Sequence, residues 1–191
     1  MSQTHKVAVI VGSLRQASLS RKAAHALARL APDTLALEIV EIGDLPLYDE
    51  DREGEAAPAA WGRFREQVKS ADAVLFVTPE YNRSIPGALK NAIDWASRPW
   101  GQNSFDNMPA AVIGASSGQI GTAMAQQSLR GVLSFCNARQ MTAPEAYIKY
   151  SPELFTDDGE VTNDSTRDFL RDYMIEFYTY IVRVLTVLPR P

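Results

Sequence analysis

The chain has 191 residues, of which 46% are hydrophobic and 22% charged, a balance that predicts one globular domain over residues 1–191. The formal net charge of −4, without a long cluster of lysine and arginine, argues against a nucleic-acid partner. Because Cys136 is the single cysteine, a disulfide framework and a Cys-x-x-Cys redox pair are excluded, so any redox activity must come from a bound cofactor.

Strand and helix patterns alternate from one end of the chain to the other. Short apolar runs predict strands at 6–11, 35–42, 74–78, 110–115 and 139–142. Segments with helical spacing of apolar residues predict helices at 18–30, 59–69, 86–97, 121–135 and 166–188. This alternation predicts an α/β fold with a parallel sheet.

Five such β/α units predict a flavodoxin-like three-layer sandwich. Its five-stranded parallel sheet would have the order 2-1-3-4-5, with helices on both faces. Ligands of such sheets bind outside the carboxyl ends of the strands, so the loops after strands one and three should face one ligand. The long loops 43–58 and 143–164 are expected to shape a site or an interface.

The loop after strand one has the groups that bind a phosphate. It combines a glycine, hydroxyls, guanidiniums and a helix N-terminus. It lacks the later glycines of a dinucleotide-binding fingerprint and the Gly-Lys-Ser/Thr ending of a P-loop. A terminal monophosphate therefore fits better than a pyrophosphate. Ser18 alone is equally explained as an N-cap, and the arginines as solvated charges. The residues concerned are Gly12, Ser13, Arg15, Ser18, Ser20 and Arg21.

The loops after strands three and four favour a planar ligand. The first offers an aromatic ring, an amide and backbone N–H groups, and the second offers glycines that permit close approach of the backbone. Each loop taken alone is also ordinary turn chemistry, but three such loops at three strand ends indicate one continuous rim. The residues are Pro79, Glu80, Tyr81 and Asn82 in the first, and Ser116, Ser117 and Gly118 in the second.

These motifs resemble the NADPH-dependent FMN reductase family, which includes bacterial chromate, quinone, azo-dye and ferric reductases. The resemblance is carried by 12–15 with Ser18, by 79–82 with Ser84, and by 86–98, and it spans roughly residues 7–146. The segment 98–104 and the pair Pro144-Glu145 look closest to the branch of broad NAD(P)H:acceptor oxidoreductases.

The resemblance implies bound FMN, with NADPH or NADH as the hydride donor. Ser13, Arg15, Ser18 and Ser20 would hold the FMN phosphate, while 79–82 and 116–118 would line the isoalloxazine ring. The implied reaction is ping-pong hydride transfer to FMN and on to quinones, flavins, ferric chelates, azo or nitro compounds, or chromate. No catalytic acid or base is obligatory, because the cofactor carries the hydride chemistry.

Arg98 is a candidate contact for the nicotinamide nucleotide or an anionic acceptor, although a helix-terminal arginine that compensates the dipole explains it equally. For a 2′-phosphate, Arg15, Arg21 and Arg83 are further candidates. Leu89, Ile93, Trp95 and Trp100 indicate a dimer interface beside the flavin, or else simple packing against the sheet. The resemblance favours a homodimer and leaves a tetramer open.

The sequence also departs from the family pattern. Ser20 replaces a common asparagine, Arg83 replaces a tyrosine of some members, and 126–128 replace the Tyr-His pair of chromate-reducing members, which leaves chromate preference open. A non-catalytic flavodoxin-like electron carrier and a flavin reductase that supplies reduced FMN to a monooxygenase are the alternatives. The modest net charge and the arginine-rich first loop disfavour the carrier.

Location and metal binding follow from simpler features. The polar start that runs straight into a strand predicts a cytoplasmic protein without a secretory signal. The apolar stretch 178–188 is short and Arg183 interrupts it, so we expect a packed helix and no membrane association. His5 and His25 stand far apart without paired carboxylates, so no metal site is expected.

Overall fold

The computed structural model describes residues 3–151, 154–156 and 158–189. Within this part of the chain, one parallel sheet lies between two layers of helices. The strands are β1 (His5–Val11), β2 (Leu35–Val40), β3 (Ala73–Val77), β4 (Pro109–Ser116), β5 (Arg139–Gln140) and β6 (Ala146–Lys149). The α-helices are α1 (Leu19–Leu30), α2 (Ala59–Lys69), α3 (Gly87–Ala96), α4 (Ala123–Phe135) and α5 (Asp164–Val187).

The predicted strand order is confirmed, but the predicted number of five strands is wrong. The sheet runs β2-β1-β3-β4-β5, and β6 also pairs with β4. Strand β5 lies against the start of β4 at Pro109 and Ala110, whereas β6 lies against its end from Ile113 to Ser116. The sequence predicts a loop over 143–164, because this segment carries proline, glycine and acidic residues, and the four residues of β6 are too few to show a period.

Burial on both faces explains the continuous apolar runs of the central strands. In β1, Val7 and Val9 pack towards α1 and α5, while Ala8 and Ile10 pack towards α2, α3 and α4. Alternate side chains of a strand point to opposite faces, so a strand covered on both sides must be apolar throughout. The same arrangement in β3 and β4 brings their carboxyl ends to one edge of the sheet.

The interpretation of α3 as an exposed interface is wrong for three of its residues. Leu89, Ile93 and Trp95 are at most 1% exposed and pack in the core, as the alternative interpretation had it. Trp95 also donates from Nε1 to the Pro46 carbonyl at 2.8 Å, which anchors the loop 43–58. The side of α3 that carries these three residues faces the sheet. Of the four residues predicted for the interface, only Trp100 is exposed, at 77%.

The C-terminal helix α5 is amphipathic and packs on the sheet with Leu170, Tyr173, Met174, Phe177 and Ile181. Among the described residues, we find no helix long and apolar enough to cross a membrane. Within the same residues, no three or more His, Cys, Asp or Glu side chains are grouped to hold a metal ion.

Candidate cofactor-binding site

The loops after β1, β3 and β4 meet at the carboxyl edge of the sheet around an open cleft of about 180 Å³. Most residues predicted to contact a cofactor line this cleft, whereas Asn82 and Gly118 lie just outside it. Leu19 and Ala115 also line it and were missed, since neither carries a chemical signal in the sequence. The lining residues are Ser13, Arg15, Ser18, Leu19, Ser20, Pro79, Glu80, Tyr81, Ala115, Ser116 and Ser117.

The N-terminus of α1 forms one wall of the cleft. Ser18 is the N-cap and accepts a hydrogen bond from the Arg21 N–H at 3.2 Å. The first turn carries no acidic residue, so the positive end of the helix dipole is uncompensated where the first N–H groups lack intrahelical partners. This wall of the cleft therefore suits a phosphate.

Ser20 adds a hydroxyl to that wall. The residue is 1% exposed, and its Oγ has no hydrogen-bond partner among the described residues. Buried polar atoms are nearly always hydrogen-bonded, so a ligand oxygen placed here would satisfy this hydroxyl. Arg15 lies on the same loop, is exposed, and its side chain has no ion pair or hydrogen bond within the described chain.

Glu80 has a structural partner that the sequence did not reveal. Its Oε2 accepts from the N–H groups of Met124 at 3.0 Å and Ala125 at 3.2 Å, at the N-terminus of α4. The side chain is only 9% exposed. A carboxylate thus compensates the dipole of α4, whereas that of α1 stays open. Of these two helix N-termini, that of α1 is therefore the one left open to an anion.

A tight turn presents Tyr81 to the cleft. Tyr81 and Ser84 exchange two backbone hydrogen bonds, both 3.0 Å long, and the residues between them, Asn82 and Arg83, have φ of +50° and +66°. Positive φ at both central positions is the type I′ arrangement. Tyr81 is 44% exposed, and its hydroxyl lies 3.4 Å from the Ser13 Oγ. A flat aromatic ring thus borders the phosphate wall.

The loop after β4 approaches the loop after β3 closely because of one glycine. A Cβ at Gly114 would lie 2.0 Å from the Thr122 Oγ1 and 2.4 Å from the Thr78 carbonyl oxygen. At the cleft itself, the Gly118 N–H donates to the Ser116 Oγ at 3.1 Å, so Gly118 shapes the loop while Ser116 forms the wall.

Buried Gln126 holds this loop from behind. Its Nε2 donates to the Thr122 Oγ1 at 2.9 Å and to the Ala146 carbonyl of β6 at 2.8 Å. It thereby joins the start of α4 to β6, the strand that pairs with the end of β4. In the sequence, the signal for such a role is a polar residue on the buried side of a helix.

The structure does not bring Arg98 to the cleft of its own chain. Helix α3 starts at the carboxyl edge and runs back along the sheet for ten residues, roughly 15 Å, and Arg98 follows its end. There its Nε donates to the Tyr48 hydroxyl at 3.2 Å, and its guanidinium lies over the rings of Tyr48 and Trp100. Burial, reinforced by the Glu53 carboxylate, raises the pKa of Tyr48.

Comparison with known proteins gives this site a context. Residues 5–153 match the sequence model of a family described as NADPH-dependent FMN reductase. A quinone reductase of Pseudomonas putida is 54% identical over 181 residues, which cover 95% of this chain and 97% of the relative. A 2-hydroxy-1,4-benzoquinone reductase of a Burkholderia species is 46% identical over 176 residues, covering 92% and 96%.

A solved structure is similar over nearly the whole fold. The flavoenzyme FerB of Paracoccus denitrificans, an NAD(P)H:(acceptor) oxidoreductase, superposes with a TM-score of 0.90 at 46% identity. The match covers 94% of this chain and 98% of that one.

Proposed function

The chain belongs to the NADPH-dependent FMN reductase family, and on this premise we propose that the cleft holds FMN and that catalysis follows a ping-pong course. The protein is an NAD(P)H-dependent oxidoreductase that acts on quinones and uses FMN. The proposal adds where the cofactor sits, how the substrates alternate and which further acceptors are reduced.

One observation carries the placement of FMN. The buried Ser20 Oγ has no hydrogen-bond partner in the described part of the chain, and it lies in a wall that also holds the open N-terminus of α1. A phosphate would satisfy the hydroxyl, the first N–H groups of the helix and the exposed guanidinium of Arg15 together. The residues present therefore fit the phosphate end of FMN, with Ser13 and Ser18 beside it.

The size of the cleft supports the position of the ring. At about 180 Å³ it is smaller than the 300–1,000 Å³ usual for small-molecule sites. It can enclose the phosphate end, while a flat ring would lie across the open rim between Tyr81 and the loop from Ala115 to Ser117. When bound, FMN supplies the hydride chemistry, and these residues position it.

An open rim explains why two substrates can use one site in turn. Tyr81 offers an apolar ring to flat molecules, and the nearby carboxylate of Glu80 is held by α4. With few polar groups that must be paired, such a rim discriminates weakly between conjugated molecules. We therefore include free flavins and azo and nitro compounds among the proposed acceptors, besides quinones, and add ferric chelates and chromate because the family resemblance implies them.

A homodimer is part of the proposal. With Leu89, Ile93 and Trp95 buried in the core, the exposed apolar side chains include those of Trp100, Met124 and Phe135. Contiguous exposed apolar patches mark association surfaces, and we propose that these side chains contribute to such a patch in the dimer. Light scattering after size-exclusion chromatography gives the mass, and a monomer at all concentrations would contradict this part.

The proposed function is tested on the protein loaded with FMN, under anaerobic conditions. Adding NADPH or NADH without any partner protein should bleach the visible flavin band, and a quinone should restore it. A bound flavin that neither coenzyme reduces would mean an electron carrier. After reduction, the protein is separated from free flavin by ultrafiltration. Reduced flavin in the filtrate would mean that the protein is a flavin reductase that supplies another enzyme.

A further inference from the structure

Arg83 lies on the tip of the turn between Tyr81 and Ser84, next to Glu80 and Tyr81, which line the cleft. The turn is bound to α4, because the Oγ atoms of Ser84 and Ser128 lie 3.0 Å apart in a hydrogen bond. Arg83 itself has a left-handed backbone, which few residues with a side chain adopt, and its side chain is 71% exposed. A guanidinium is thus held beside the rim on a well-anchored support.

The charge of Arg83 is only weakly compensated. Its ion pair joins Nη1 to the Glu80 Oε1 at 3.5 Å, longer than the 2.7–2.9 Å usual for a charge-assisted hydrogen bond. The other oxygen of Glu80 is taken by two N–H groups of α4. Most of the donors of Arg83 therefore point to solvent at the rim.

The two arginines of the loop after β1 are less available for a second anion than Arg83. Arg21 makes two hydrogen bonds of 2.9 Å to both oxygens of Glu41. Arg15 lines the phosphate cleft, where the FMN phosphate would engage it. Compared with these two, Arg83 is the guanidinium that stays available for a second anion at the rim.

We infer that Arg83 recognises the 2′-phosphate of NADPH and makes this coenzyme the preferred hydride donor. The inference rests on the proposed function, since it places the coenzyme at the rim. NADPH differs from NADH by that phosphate alone, and a guanidinium fork matches phosphate oxygens in a bidentate manner. Arg83 thus acts on specificity and leaves the hydride transfer itself to the cofactor.

The kinetic test compares Arg83→Gln with the unmodified enzyme, both loaded with FMN and supplied with 1,4-benzoquinone. We expect kcat/KM for NADPH to fall on the order of tenfold, as for loss of one hydrogen bond to a charged group, and kcat/KM for NADH to stay unchanged. Arg83→Lys keeps the charge without the fork and should retain part of the preference.

A matched control removes the same charge elsewhere. Arg63→Gln on α2 breaks a bidentate ion pair with Asp44. This control should leave kcat/KM unchanged for both NADPH and NADH. A second readout needs no turnover: calorimetric titration with adenosine 2′,5′-bisphosphate and with adenosine 5′-monophosphate. The bisphosphate should bind more tightly to the unmodified protein, and Arg83→Gln should remove this difference.

Two results would overturn the inference. One is an equal loss with NADPH and NADH in Arg83→Gln, and the other is an unmodified enzyme without NADPH preference. If the FMN-loaded enzyme oxidises neither coenzyme, the proposed function fails instead, and the bisphosphate titration still decides whether Arg83 binds this phosphate.

Discussion

Replacing Ser20 with alanine should change the stability of the flavin-free protein and its affinity for FMN in opposite directions. In the free protein the substitution deletes a buried hydroxyl that has no partner among the described residues. In the complex it deletes a donor to the phosphate. A serine with an ordinary structural role would not combine these two effects.

The magnitudes follow from the burial of the hydroxyl. An unsatisfied buried polar group costs about 1–3 kcal/mol, so we expect a gain of about 1 kcal/mol in the free energy of unfolding. For a chain of this length, that gain raises Tm by about 2–4 °C. Loss of a hydrogen bond to a charged phosphate costs about 1.5–3 kcal/mol, which weakens FMN binding roughly 10- to 150-fold.

The assays are urea unfolding of the flavin-free protein and fluorescence titration with FMN and with riboflavin. Riboflavin lacks the phosphate, so its affinity should be the same in both proteins. Ser134→Ala is the matched control, because the Ser134 hydroxyl donates to the Arg130 carbonyl at 2.8 Å on the exposed side of α4. It should leave both flavin affinities unchanged.

Equal weakening of FMN and riboflavin would refute the reasoning, since it would show damage to the cleft as a whole. Unchanged FMN affinity would also refute it, because the phosphate would then lie away from Ser20. A destabilised flavin-free protein would show that the hydroxyl has a stabilising role in the fold.

Four further substitutions, one of them a control, test the surroundings of the site and the core. Gly114→Ala should destabilise the protein by about 3 kcal/mol in urea unfolding, because the new Cβ would lie 2.0 Å from the Thr122 Oγ1. The control is Gly131→Ala on α4, where the new Cβ would meet no atom within 4 Å, so this substitution should stabilise the protein by about 1 kcal/mol. Equal changes in the free energy of unfolding for the two variants would disprove the close approach at Gly114. Arg83→Gly should raise the free energy of unfolding by about 1 kcal/mol, since its φ of +66° suits glycine, and no gain would show an unstrained turn. Burial raises the pKa of Tyr173, whose hydroxyl donates to a strand carbonyl at 3.0 Å. Its contribution to stability is therefore present below about pH 10 and lost as pH rises further, so Tyr173→Phe should flatten that loss, and an unchanged slope would contradict it.

Local patterns were sufficient for most elements and for the rim. The bounds of α2 agree with the prediction at both ends, and Ser18 caps α1 as its residue type indicates. Apolar spacing and capping act within a few residues along the chain, so they are visible before folding. The order of the units then determined which strand ends meet, and so the grouping of three loops.

Which partner each side chain finds was decided only by the tertiary structure. Strand β6 exists because the end of β4 offers it a ladder, although its four residues show no period. Glu80 binds the N-terminus of α4, 44 residues later, and Arg98 is carried away from the cleft by the length of α3. Ser20 is left without a described partner by the same packing that buries it.

The sequence by itself thus determined the α/β alternation, the strand order and the chemical types gathered at the rim, because these depend on near neighbours and on short connections. The tertiary structure decided which of those groups are already engaged and which are left for a ligand. Hydrogen bonds between distant segments have no periodic trace in the chain, and their distances exist only once the layers are packed.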